Sequence, residues 1–67
     1  MNIVLNNEPL FCEENVLSIN QLLEKKNFTF KLLVVKINKK LIPKYDYDQF
    51  LIHDGDDVMV LHLMSGG

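Results

Sequence analysis

The sequence is short of several features that would fix a protein's location or stabilise a small fold. It has a single cysteine, Cys12, so no disulfide can form within the chain. No unbroken apolar run is longer than Leu32-Leu33-Val34-Val35, which is far too short for a membrane span. The N-terminus lacks the basic and apolar regions of a signal peptide. We therefore expect no membrane partner and a reducing compartment, either the cytoplasm or, if the gene is plastid-encoded, the plastid stroma.

Basic clusters are missing as well. The formal net charge is −2, and no patch of lysines provides the positive surface that nucleic acid requires. The 67 residues suffice for one domain, whose folding buries only ~60% of the unfolded surface. Apolar residues make up 48% of the sequence and charged residues 24%, which is typical of a globular protein. So short a chain leaves little room for an active-site cleft of its own.

The clearest local signals predict one helix, from about Ile19 to Lys26. Ser18 is a suitable N-cap, and Gln21 three residues later completes a capping box. Asn27 is a suitable left-handed residue to end the helix. The helix is amphipathic, because its apolar residues fall at the i, i+3, i+4 spacing of one buried stripe. These residues are Ile19, Leu22 and Leu23.

Short β-rich runs account for most of the remaining chain. The first two form a hairpin, and Pro9, which cannot donate a ladder hydrogen bond, places the second at a sheet edge. The last run is apolar at nearly every position, which is typical of a central strand. We predict that it pairs in parallel with the first, and that the helix covers one face of the sheet. The predicted strands are Asn2–Leu5, Pro9–Cys12, Leu32–Ile37, Lys40–Ile42 and Val58 to about Leu63, while Tyr45–Asp48 forms an irregular or single-turn segment and Phe50, Leu51 and Ile52 re-enter the core.

Few side chains suggest chemistry in themselves. His53 and His62 have no third ligand at a zinc-type spacing, and we interpret them as surface or edge residues. The acidic turn 54–57 lacks the further oxygen ligands of an EF-hand loop. Cys12 is the one thiol, and we interpret it as a small apolar filler. The Gly-rich phosphate loop GxxxxGK[ST] does not occur. We therefore expect neither a metal nor a bound cofactor, and not an independent enzyme.

The last four residues, Met64-Ser65-Gly66-Gly67, follow the last predicted strand. Glycine has no Cβ, so such a tail is thin enough to enter the active site of another protein, and its terminal carboxylate is a candidate reactive group. The alternative is a frayed terminus, as at most chain ends. We divide the chain into a domain of residues 1–63 and a flexible tail of residues 64–67, in which we expect Gly66 and Gly67 to be mobile.

The order of these features resembles that of the ubiquitin-like β-grasp sulfur carriers of the ThiS/MoaD family, and most closely its thiamine-biosynthesis members. The resemblance covers the whole chain. It implies an α+β fold in which a mixed sheet of four to five strands carries one amphipathic helix on one face. It rests on the first strand running into Asn6, on Leu22-Leu23, Ile37-Asn38, Ile42-Pro43-Lys44 and Asp54-Gly55-Asp56, and on the final Gly66-Gly67.

The resemblance also implies a role. The Gly67 carboxylate would be adenylated by a ThiF-like partner enzyme that uses ATP. Sulfur from a relay of the cysteine desulfurase type would convert it into a thiocarboxylate. That sulfur would then pass to a ThiG-like thiazole synthase in thiamine biosynthesis, so that the chain serves as a protein cosubstrate. Two alternatives remain open: the small subunit of molybdopterin synthase, and a β-grasp binding module or protein modifier without sulfur chemistry.

The alternation of side chains along each strand predicts which residues face the helix. Lys36 marks the outer face of its strand, and the resemblance places Met59 on the outer face of the last strand. The predicted core is Ile3, Leu5, Leu22, Leu23, Leu33, Val35, Ile37, Phe50, Val58 and Val60. The predicted partner-binding patch on the opposite face is Val4, Val34, Met59 and Leu61, with Met64 and Ser65 guiding the tail.

Overall fold

The computed structural model describes residues 1–29 and 32–63. Its strands are β1 (Asn2–Leu5), β2 (Glu8–Phe11), β3 (Val16–Ser18), β4 (Leu33–Ile37), β5 (Lys40–Ile42), β6 (Leu51–His53) and β7 (Asp57–His62). The helix α1 (Ile19–Lys25) follows β3, and a 3₁₀ turn (Lys44–Asp46) follows β5.

The main sheet has five strands in the order β2-β1-β7-β4-β5. The first and last strands, β1 and β7, pair in parallel at its centre, and the other pairs are antiparallel. This confirms the predicted mixed sheet, the parallel pairing and the edge position of the strand that contains Pro9.

Two tight turns join the antiparallel neighbours of this sheet. Asn6 and Asn7 have φ values of 51° and 67°, and Asn38 and Lys39 have φ values of 51° and 72°. Positive φ at both central residues is the geometry of type I′ hairpin turns, whose twist matches that of the strands they join. Asparagine tolerates this conformation better than other non-glycine residues do. The two hairpins therefore follow from their local sequence.

Both ends of α1 are closed by hydrogen bonds. At the start, the Gln21 N–H donates to the Ser18 hydroxyl at 3.1 Å, and the Ser18 N–H donates to the Gln21 side chain at 2.8 Å. At the end, Asn27 has φ 57°, its N–H donates to the Glu24 carbonyl at 3.1 Å, and the Phe28 N–H donates to the Leu23 carbonyl at 2.8 Å. The two hydrogen bonds donated by the Asn27 and Phe28 N–H groups together form a Schellman motif. The capping box and the left-handed stop are thus confirmed, and the helix ends at Lys25 with Lys26 as its C-cap.

The core lies between α1 and the inner face of the sheet. The predicted core is confirmed: Leu33 and Phe50 are partly buried and pack against the cluster, and the other members are buried. Cys12 is also buried, in agreement with its interpretation as a filler. Ile52, which we expected to re-enter the core, is fully buried, and further buried residues that were not predicted are Met1, Leu17, Ile42 and Tyr47.

The structure corrects the predicted elements in three places. A second, two-stranded sheet pairs β3 with β6 and was not predicted. Leu51, which we expected in the core, is 46% exposed, because only Leu17 and Ile52 of this small sheet turn inward. Three strand bounds also differ by one residue: β2 (Glu8–Phe11) and β7 (Asp57–His62) each lie one residue earlier than predicted, and β4 begins at Leu33 in place of Leu32.

Candidate docking face of the sheet

The outer face of the main sheet, opposite α1, carries the predicted patch. Val4 is 38% exposed and Leu61 is 39% exposed, and Val34 and Met59 are half-buried. Val58, next to Met59, is fully buried, so the register of β7 is as predicted. All four patch residues therefore lie on the face that the strand alternation indicated.

Strand pairing brings these side chains together. Val34 is directly opposite Leu61, and Lys36 is directly opposite Met59, across the β4–β7 ladder. Residues opposite each other on one face have Cβ atoms about 4.5–5.5 Å apart, so their side chains contact. Met59 and Leu61 are therefore the centre of the patch, because β7 is the middle strand of the sheet.

Two exposed residues on the same face were missed by the sequence analysis. Phe11 is 66% exposed and lies opposite Asn2, while Leu41 is 59% exposed and lies opposite Lys36. Both belong to edge strands. The signal was present in the alternation of each hairpin, since the residue opposite an outward-facing residue also faces outward. They extend the apolar surface toward both edges of the sheet.

A recess of about 280 Å³ opens on this face. It is lined by the apolar Met59 and Leu61 and by polar residues of β4, β7 and the two hairpin turns: Asn7, Lys36, Lys39 and Asp57. The lining contains two lysines and one aspartate, so its formal charge is positive although the whole chain carries a formal charge of −2. The candidate face therefore combines an apolar centre with a local positive charge.

Hydrogen bonds on both sides hold β7 in position. On one side, the Asn6 N–H donates to the Val58 carbonyl at 2.9 Å, and the Val60 N–H donates to the Asn6 side chain at 2.8 Å. On the other side, the Leu63 N–H donates to the Leu32 carbonyl at 2.9 Å. The ladder therefore fixes the chain as far as residue 63, at the start of the predicted tail. The tail residues Met64, Ser65, Gly66 and Gly67 lie outside the described residues.

The acidic turn before β7 has a structural role. Gly55 takes φ 87°, Asp54 accepts a hydrogen bond from the Asn2 N–H at 2.6 Å, and Asp56 accepts from the His53 N–H at 2.9 Å.

Across residues 1–29 and 32–63, no three His, Cys, Asp or Glu side chains come together as metal ligands. In the same part of the chain, no helix has the length and apolar character needed to cross a membrane.

A mixed sheet with parallel central strands and a helix across one face defines a ubiquitin-like β-grasp protein. Residues 3–67 match the family model described as the ThiS family, and the chain belongs to this family.

The chain is also similar to individual relatives and solved structures along its whole length. The chain is 31% identical to an uncharacterized protein, ycf40, of Porphyra purpurea, with coverage of 100% of this chain and 93% of the relative. It is 24% identical to the sulfur carrier protein ThiS of Escherichia coli strain K12, over the full length of both. The crystal structure of the thiamine biosynthesis protein ThiS of Geobacter metallireducens superposes with a TM-score of 0.90 at 26% identity, covering 100% of both chains. An NMR structure of a thiamine biosynthesis protein of that organism gives a TM-score of 0.81 at 26% identity, covering 100% of this chain and 88% of the other.

Proposed function

We propose that this chain is a sulfur carrier protein of thiamine biosynthesis. The observation that supports this most strongly is the family match over residues 3–67, together with the shared fold of the Geobacter metallireducens protein along both whole chains. Its proposed compartment is the cytoplasm, or the plastid stroma if the gene is plastid-encoded.

In this proposal the reactive group is the carboxylate of Gly67. A carboxylate is a poor acyl donor until one oxygen becomes a good leaving group. A ThiF-like partner enzyme therefore joins that oxygen to the α-phosphate of ATP and releases pyrophosphate. A persulfide from a relay of the cysteine desulfurase type then displaces AMP and forms an acyl disulfide. A thiol attacks the relay's sulfur of that disulfide, which breaks the S–S bond, releases the thiocarboxylate and leaves a new disulfide on the relay. A ThiG-like thiazole synthase accepts this sulfur.

The sequence supports a division of labour between carrier and partner. The chain has no GxxxxGK[ST] loop to hold the phosphates of ATP. The nucleotide and its Mg²⁺ are therefore bound by the activating enzyme, and the carrier contributes its terminal carboxylate and a docking surface. In this sense the chain is a protein cosubstrate.

We further propose that the activating enzyme and the sulfur acceptor both dock on the outer face of the sheet. Apolar residues clustered on an open sheet face mark interaction sites. Met59 and Leu61 are the central contacts, with Val4 and Val34 beside them. Methionine suits a surface that must fit two partners, because its flexible thioether adapts to each.

An intact-mass measurement tests the sulfur chemistry. Protein isolated from cells with an active thiamine pathway is expected to contain a species heavier by the mass difference between sulfur and oxygen. Deletion of the gene is expected to cause a requirement for thiamine. A requirement for molybdenum cofactor in place of thiamine would contradict the proposed pathway, and an unmodified mass under all conditions would contradict the sulfur chemistry.

A double substitution tests the docking face. Met59→Asp with Leu61→Asp places two carboxylates at the apolar centre, and calorimetry is expected to show that binding to the activating enzyme is lost. The matched control is Val16→Asp with Leu51→Asp, since these residues are 38% and 46% exposed on the small second sheet. If the Met59/Leu61 variant folds and binds within a few-fold of wild type, the docking face lies elsewhere.

A further inference from the structure

Lys36 interrupts the apolar surface of the outer face. Lys36 projects from β4, directly opposite Met59 on one neighbouring strand and Leu41 on the other. Its side chain is exposed, and within residues 1–29 and 32–63 it forms neither an ion pair nor a side-chain hydrogen bond. Among the described residues, Lys36 is therefore an unpaired positive charge between two apolar neighbours.

Its position makes this charge hard for a docking partner to avoid. A surface that covers both Met59 and Leu41 must also cover Lys36, because the residue lies between them. Removing an unpaired ammonium from water is strongly unfavourable, whereas the same group beside a carboxylate is compensated. Asp57 lines the same recess but forms no ion pair with Lys36 in the described part of the chain. Lys39 adds a second positive charge at the recess.

We propose that the activating enzyme presents a carboxylate side chain to Lys36, and that this ion pair is a specificity determinant of the docking face. The proposal rests on the proposed function, since it assigns the chemistry of the partner surface. The positive recess complements such a carboxylate, in contrast to the negative charge of the chain as a whole. Charge complementarity at an interface selects the correct partner and fixes its register.

Substitution of Lys36 by methionine separates this proposal from purely apolar docking. Lys36→Met keeps an unbranched side chain that is one atom shorter and removes the charge, leaving the partner's carboxylate unpaired. We expect the affinity for the activating enzyme to fall about 30-fold or more, mainly through faster dissociation, because loss of one member of a buried charge pair costs about 2–5 kcal/mol. Lys36→Glu should weaken binding further.

The matched controls are Lys40→Met and Lys40→Glu. Lys40 is exposed, and its substitutions change the net charge by the same amounts as those of Lys36. It lies opposite the inward-facing Ile37 and therefore off the outer face. These variants are expected to bind within a few-fold of wild type. If Lys36→Met binds as tightly as wild type or more tightly, the ammonium extends to solvent at the rim and the proposal is wrong. A loss confined to the association rate and abolished by high salt would also overturn it.

The Met59/Leu61 variant distinguishes failure of this inference from failure of the docking face. If that variant loses binding while Lys36→Met does not, the face is correct and the charge pairing is wrong. If neither variant loses binding, the docking face itself is wrong. Loss of binding in both, with the Lys40 variants unaffected, supports the ion pair.

Discussion

Asparagines at positive φ close three of the turns that shape this fold. Asn6 and Asn38 lie in the two hairpins and Asn27 ends the helix. Asn6 has a second role, because its side chain accepts a hydrogen bond from the Val60 N–H where β1 has already ended. One residue therefore both turns the chain and continues the pairing of the central strand.

This double role predicts unequal effects of alanine at two adjacent sites. Asn6→Ala and Asn7→Ala each place alanine at positive φ, but only Asn6→Ala leaves the Val60 N–H without its partner. We expect Asn6→Ala to lower the free energy of unfolding by about 1–3 kcal/mol more than Asn7→Ala, as for a buried donor left unsatisfied. Urea denaturation of both variants measures the difference. Equal losses would show that the side-chain hydrogen bond contributes nothing.

The environment of Tyr47 leads us to expect that the free energy of unfolding depends on pH in the alkaline range. Burial raises the pKa of its phenol above the usual value, against the opposing effect of a hydrogen bond with the Val35 backbone. The unfolded chain therefore releases this proton at lower pH than the folded chain does. The contribution of Tyr47 to the free energy of unfolding is therefore complete below the unfolded pKa of about 10. It is lost as pH rises through the folded pKa. Ultraviolet titration of a folded Tyr45→Phe variant, in which Tyr47 is the remaining tyrosine, measures the pKa of Tyr47 in the folded chain. Titration at the unfolded value would contradict the shift.

At the scale of elements, the helix α1 depends on its start signal. Ser18 and Gln21 satisfy each other's backbone N–H groups. Ser18→Ala is expected to lower the free energy of unfolding by about 1 kcal/mol, within the range of 0.5–2 kcal/mol found for N-caps. Because the two bonds close one motif, Ser18→Ala and Gln21→Ala together are expected to cost less than the sum of the single variants. Additive losses in thermal unfolding would show that the two bonds are independent.

Elements with local signals were predictable from the sequence, and those fixed by distant pairing were not. The helix has its cap, its apolar stripe and its stop within Ser18–Asn27, and all three were predicted. The small sheet joins Val16–Ser18 to Leu51–His53, which are far apart in the chain. Each strand is only three residues long, too short for a pattern of alternation to be recognised. The exposure of Leu51 could not be predicted because it follows from this pairing.

At the scale of the whole molecule, the fold gives the two faces of one sheet different environments. The helix covers the inner face, so the core depends on that side, while the outer face remains open. Four outer residues, Val4, Val34, Met59 and Leu61, were predicted from alternation and from the resemblance. Phe11 and Leu41 were missed, although the alternation along each hairpin indicated their outward orientation.

The same architecture separates stability from the proposed chemistry. In the described chain, the last core residue of β7 is Val60, and the Leu63 N–H continues the ladder to Leu32. Deleting Gly67, or adding one residue after it, removes or displaces the proposed reactive carboxylate without changing these contacts. We therefore expect thiocarboxylate formation to be abolished and the melting temperature to remain nearly unchanged.

Intact-mass spectrometry and calorimetry of the same preparations measure the two effects. Binding to the activating enzyme serves as the control, because the outer face is intact in both Gly67 variants and docking is expected to persist. Any loss of affinity is limited to the contacts of the terminal residue and to the entropy of ordering it, about 1–2 kcal/mol per residue. A thiocarboxylate on the shortened chain would show that Gly67 is not the required acceptor. A large fall in melting temperature would show instead that the tail stabilises the fold, and that stability and chemistry are not separated along this chain.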